Sequence, residues 1–247
     1  MMTEIAPEET RFNLLLFVYI ILSVVNIGME YWQIKWGIFL TKPLLLSLLS
    51  YYFYRATIYY SSPFRTYLLI GFIFSIFGDS FLMFVEDNPD VPAFFMLGLG
   101  SFLLTHIFYL LAFAKIPRAL SKGFLVKNKG LIILFLLYYI GNILFLWSAI
   151  PADLKIPVAA YTLAIISMAA MGVNLKNIIS NRVFRGWVFG IGLFVISDSL
   201  IAIDKFHPMG WHIPEARVLI MVTYLTAQYF IARMGTAYIN SVEKQLP

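Results

Sequence analysis

TYLLIGFIFSIFGDSFLMFV, residues 66–85, runs for twenty residues with one charged side chain, Asp79. A helix needs about twenty apolar residues to cross the hydrocarbon of a bilayer. It satisfies its own backbone polar groups there, which lipid cannot do. The pattern recurs along the chain, broken only by short polar segments. It predicts eight spans, at 12–29, 36–54, 64–85, 93–114, 130–150, 156–174, 184–203 and 215–239. No gap has room for a soluble domain, so residues 1–247 read as one transmembrane domain. The segments lack the alternation of barrel strands. The expected fold is an all-α polytopic membrane protein.

Composition agrees. The chain is 61% hydrophobic and 13% charged, against roughly a quarter charged in soluble domains. Its net charge of +5 needs no nucleic-acid partner, because cytoplasmic loops of membrane proteins collect Lys and Arg. The loops after spans two, four and six hold ten such residues: Arg55, Arg65, Lys115, Arg118, Lys122, Lys127, Lys129, Lys176, Arg182 and Arg185. The loops after spans one, three, five and seven hold three, Lys35, Lys155 and Lys205, and EDNPDVP (86–92) is purely acidic. Both termini are therefore expected in the cytoplasm. The basic connection 115–129 is expected to lie along the membrane surface. The acidic N-terminus lacks a basic leader region, so the first run reads as a retained helix. Without cysteine there is no disulfide or thiol chemistry. Short loops and the lack of a sorting motif point to a bacterial inner membrane. The sequence leaves a homodimer open.

Asp79 has a counterpart. GFIFSIFGDSFLM (71–83) and GIGLFVISDSLIA (190–202) share a Gly eight residues before the Asp and a Ser just after it. The aspartates, Asp79 and Asp198, fall on spans three and seven. Two readings stand: two four-helix halves in parallel repeat, or chance similarity between two apolar helices.

Ionisable groups inside the membrane cost roughly 2.5–3.5 kcal/mol on insertion scales and tend to mark functional sites. Counted from the span ends, Asp79 and Lys42 lie about 9 Å from the outer end, and Asp198 about 8 Å. Asn26, Asn142 and Tyr224 reach similar levels, and Gln228 lies somewhat deeper. Each has a structural alternative. Asn26 and Asn142 suit helix–helix hydrogen bonds. Lys42 can snorkel to the interface or pair with an aspartate, and Tyr224 can be an interfacial aromatic. Pro43 is expected to kink its helix beside this cluster and open a cavity. His106 falls deeper, toward the cytoplasmic side. His207 and His212 share an outer loop at a spacing that matches no common zinc signature, and a His–Asp–Asp site stays open only as an alternative. No metal or cofactor is assigned. No nucleophile elbow, phosphate loop or nucleotide fingerprint is present.

TKPL (41–44), GDSFLM (78–83), FLLTHIFY (102–109), SDSLIAIDKF (197–206) and TYLTAQYFI (223–231) follow one another along spans two to eight. In this order the chain resembles the YhhN-type lysoplasmalogenase family. The resemblance implies a hydrolase that cleaves the vinyl ether bond of lysoplasmalogens, giving a fatty aldehyde and glycerophosphoethanolamine or glycerophosphocholine. Its substrate would be a lysophospholipid drawn from membrane lipid. It also implies that the aspartates of the GD and SD motifs, here Asp79 and Asp198, are catalytic.

A carboxyl pair suits that chemistry. A vinyl ether is stable to base and labile to acid: protonation of its β carbon gives an oxocarbenium ion that water captures. One carboxyl would supply the proton, and the other would stabilise the cation and activate water, as in glycosidases. The expectation is that Asp79 and Asp198 face each other across a cavity in the outer half, with Lys42, Asn26, Asn142, Tyr224, Gln228 and His106 in support. Lys42 would hold the ionised carboxylate or meet the substrate phosphate. The competing class is a proton-coupled transporter of a lipid or small amphiphile, since proton relays also use paired intramembrane carboxylates.

Overall fold

The computed structural model describes residues 7–85 and 91–243. Eight long helices run through them: α1 (Pro7–Tyr31), α2 (Lys35–Ala56), α3 (Pro63–Met83), α4 (Pro92–Ala114), α5 (Ile132–Leu146), α6 (Lys155–Asn174), α7 (Asn181–Phe206) and α8 (Ala216–Glu243). No strand occurs among the described residues. Local sequence sets several ends. Ser62 accepts the Arg65 N–H at 3.2 Å and Pro63 fills the next position, so α3 begins there. Chain reversals use left-handed backbone at Gln33 (φ 54°), Asn177 (φ 66°) and His207 (φ 46°).

Among the described residues seven segments are long and apolar enough to cross a membrane: Phe12–Tyr31, Pro63–Met83, Ala93–Ala114, Lys129–Leu146, Ala152–Asn174, Asn181–Phe206 and Ala216–Val242. The chain is an integral membrane protein. α2 has the length, 22 residues, but Lys42, Pro43 and its serines dilute its apolar character. It continues as one helix through Pro43. The fifth span is shorter than the expected 130–150. α5 covers 15 residues, about 22 Å of helix, preceded by a 3-10 turn at Lys129–Leu131. Its apolar continuation leaves the helix ahead of Pro151, which disfavours helical backbone in the residue before it. Within the basic connection, Ala119–Lys122 and Phe124–Lys127 form short helical turns. Of the acidic loop, residues 86–90 lie outside the described residues.

α3 packs most closely on α4, and α7 on α8. α1–α2–α3 and α5–α6–α7 neighbour in chain order, while α4 meets α6 and α8 meets α2. The α3–α4 approach depends on glycine. A Cβ at Gly71 would overlap the Tyr109 ring, and one at Gly78 the Phe102 ring, so small residues bring these backbones together. Phe53, Phe72, Tyr109, Phe113, Trp187 and Phe194 fill the centre, fully buried. α5 stands outside this core. Leu146 is its buried residue, while Leu134, Leu137 and Leu144 are exposed, as a lipid-facing helix requires.

Candidate active site

Two polar clusters sit inside the bundle, one around each aspartate. Asp198, on α7, is reached by two side chains from other helices. His106 Nε2, on α4, is 2.9 Å from Asp198 Oδ2, and Tyr161, on α6, donates its hydroxyl to the same oxygen at 2.7 Å. The imidazole is fully buried, and its Nδ1 has no hydrogen-bond partner among the described residues. The tautomer that leaves no orphaned N–H there carries its proton on Nε2 and donates it to Asp198. Phe194 and Tyr161 hold the ring edge-on, at 4.8 and 5.2 Å between centroids.

The geometry divides the two oxygens of Asp198. Oδ2 accepts both bonds, and Oδ1 accepts none among the described residues. Asp198 also lines a cavity of about 60 Å³, together with Leu82, Phe102, Tyr138, Asn142 and Lys205. A water molecule needs roughly 10–15 Å³ of such space. The arrangement thus leaves one carboxyl oxygen without a partner among the described residues, on a side chain that lines a small and mostly apolar chamber.

Asp79, on α3, has a different set. Tyr224 of α8 donates to its Oδ2 at 2.8 Å. Deeper in the bundle Tyr109 donates to Gln228 Oε1 at 2.8 Å, and Gln228 Nε2 donates to Ser75 at 3.0 Å. The expectation of two carboxyls facing each other across one cavity needs correction. Asp79 is not part of the lining of the Asp198 chamber, and no hydrogen bond joins the two aspartates among the described residues. Aromatic rings occupy the intervening region. Phe194 packs on His106 at 4.8 Å and on Tyr224 at 5.5 Å, and Phe102 packs on Tyr224 at 5.7 Å.

Other expected residues divide between the clusters. Asn142 lines the Asp198 chamber. Asn26 is buried and donates to Thr41 Oγ1 at 2.7 Å, joining α1 to α2. Lys42 stands within electrostatic reach of Asp79 rather than of Asp198: it is absent from the lining of the Asp198 chamber, and its Nζ lies 2.8 Å from Glu30 Oε1. It lines a cavity of about 40 Å³ with Glu30, Lys35 and Leu82, and Leu82 also lines the Asp198 chamber. Glu30 belongs to α1, which extends past the expected span end at 29 and so brings a carboxylate to the lysine. His106, expected deeper, reaches Asp198. The residues that sequence reasoning missed are Tyr161, Glu30, Tyr109 and Ser75. His207 and His212 pack with tilted rings, centroids 4.3 Å apart, and no group of three or more potential metal-ligating His, Asp or Glu occurs among the described residues.

Comparison with known proteins adds a second line. The profile of the YhhN family matches residues 37–234. Lysoplasmalogenase TMEM86A of Bos taurus is 31% identical over 188 residues, 75% of this chain and 69% of that protein. Lysoplasmalogenase TMEM86B of Sus scrofa is 35% identical over 141 residues, 57% of this chain and 54% of that protein. The lysoplasmalogenase homolog of Dictyostelium discoideum is 24% identical over 204 residues, 72% of this chain and 65% of that protein. No solved structure matches the chain.

Proposed function

The chain belongs to the YhhN family, and we propose that it is an integral membrane hydrolase acting on the vinyl ether bond of lysoplasmalogens. The products are a fatty aldehyde and the glycerophospho-alcohol that carried it. The relatives named as lysoplasmalogenases support the reaction class. The division of labour between the two oxygens of Asp198 supports the mechanism.

The proton of a neutral Asp198 belongs on Oδ1, because Oδ2 is already taken by two donors. Oδ1 delivers it to the β carbon of the vinyl ether. The C=C electron pair forms the new C–H bond, and the ether oxygen shares the resulting cation. The carboxylate left behind stabilises that oxocarbenium ion and takes a proton from the water that attacks it. Its proton restored, Asp198 gives it to the departing glycerol oxygen and takes the hydroxyl proton of the hemiacetal as that collapses to aldehyde. Water is consumed once and the acid is regenerated. Tyr161 and His106 are positioning residues, fixing which oxygen carries the proton. Asp79 has a supporting part: it fixes Tyr224, whose ring is packed edge-on against Phe102 of the chamber wall. Lys205 also lines the chamber, and its ammonium meets the substrate phosphate in this reading.

Purified protein in detergent, offered vinyl ether, saturated ether and ester lysolipids side by side, tests this reading. Aldehyde is expected from the vinyl ether alone. Detergent removes any gradient, so turnover there also separates an enzyme from a carrier. Ester hydrolysis at a comparable rate, or no aldehyde from any vinyl ether, overturns it.

A further inference from the structure

Below the Asp198 chamber the structure holds a second, larger hollow of about 400 Å³ between α5, α6 and α7. Its walls are apolar, with Leu134 and Phe135 from α5, Ile166 and Ala169 from α6, and Ile191 and Gly192 from α7. Tyr138 and Val195 line both hollows, so the two meet at these side chains. At the other end Phe124 and Leu125 line the larger hollow, and buried Asn174 pins that turn. Its Oδ1 accepts the Leu125 and Val126 N–H groups at 2.8 and 3.2 Å, and its Nδ2 donates to the Ala119 carbonyl at 2.9 Å.

Along α7 the order of chemistry is therefore fixed. Lys205 lines the Asp198 chamber toward the C-terminal end of α7, with its Nζ 4.9 Å from the centre of the Phe95 ring. Asp198 follows after about 10 Å of helix, and the apolar groove runs on for about 15 Å more to Val188. A single-chain phospholipid has the same order: an anionic phosphate, a linkage a short way along, then one hydrocarbon chain. The groove has a lateral opening as well. α5 is loosely held, with Leu146 its buried residue, and a hydrogen bond of 2.7 Å between Tyr138 and Ser199 ties it to α7 at the junction of the two hollows.

We propose that the groove between α5, α6 and α7 seats the hydrocarbon chain of the substrate, and that the Phe124–Leu125 floor sets the longest chain it accepts. This rests on the lysolipid reading above and assigns its chain a site. Two variants move the limit in opposite directions. A Cβ at Gly192 meets nothing within 4 Å, so Gly192→Leu fills the groove without straining the helix. Phe124→Ala lowers the floor. The rate of aldehyde release from a dodecenyl over a hexenyl lysolipid should fall about tenfold in Gly192→Leu, the effect of excluding a few methylenes from apolar burial. The same ratio should rise in Phe124→Ala. Ratios unchanged in both variants overturn the proposal. A second readout needs no turnover: a lysophosphocholine with a diazirine at its chain end should label residues of α5, α6 and α7 around the groove, and Gly192→Leu should lose that label. Labelling spread equally over exposed faces such as Leu14 and Phe17 of α1 overturns it. Groove labelling in a protein that releases no aldehyde would sink the reaction and keep the chain site; aldehyde release with unchanged ratios would do the reverse.

Discussion

At Asp198 the decisive detail is which oxygen is occupied. Tyr161 and His106 both point at Oδ2, and a hydrogen bond to a charged group contributes about 1.5–3 kcal/mol. Tyr161→Phe should therefore lower kcat about tenfold or more while KM moves little, with the variant eluting as folded protein in detergent. Loss of KM and kcat together would make Tyr161 a binding group instead. The aspartates were legible because a charge in an apolar run stands out. Tyr161 was not, since it is one of fifteen tyrosines in a chain where aromatic residues are everywhere. His106 was legible as a supporting residue, but depth counted from helix ends does not show that its imidazole reaches Asp198.

On the scale of helices, the α1–α2 pair shows where hydropathy alone falls short. Lys42 made α2 look like a contributor to the central site, and its charge does act on Asp79, yet Glu30, one residue beyond the expected end of α1, engages it at 2.8 Å. Glu30 is 4% exposed and Lys42 19%, so removing one partner leaves the other charge uncompensated. Glu30→Gln should cost about 3 kcal/mol, read as a lower Tm in detergent, and Lys42→Met in that background should recover part of it. A Tm unchanged by Glu30→Gln would show that Lys42 already reaches water. Element count and type were readable because each apolar run is long. The ends were not: α1 outruns its expected boundary, and α5 stops ahead of Pro151.

Across the whole molecule the two clusters correspond. Advancing the first half by 119 residues carries Asp79 onto Asp198, Lys42 onto Tyr161 and Tyr109 onto Gln228, and the last two are joined by a hydrogen bond. The packing follows the same shift, with α3–α4 matching α7–α8, and α4–α6 matching α8–α2. Two four-helix halves in parallel repeat would account for this match, with chance similarity between apolar helices as the alternative. The correspondence is incomplete where function is proposed. One aspartate has Tyr161 beside it and opens on a chamber; the other has at the equivalent position a lysine engaged by Glu30. A repeat read from sequence predicts like surroundings, and the divergence of the two sites could be seen only in three dimensions. The whole account turns on whether Asp198 is the group that moves the proton. Aldehyde release from a vinyl ether lysolipid, measured in detergent for the wild-type protein and for Asp198→Asn at equal folded concentration, decides this. The account predicts product from the former and none above background from the latter; undiminished release by the asparagine variant would contradict it.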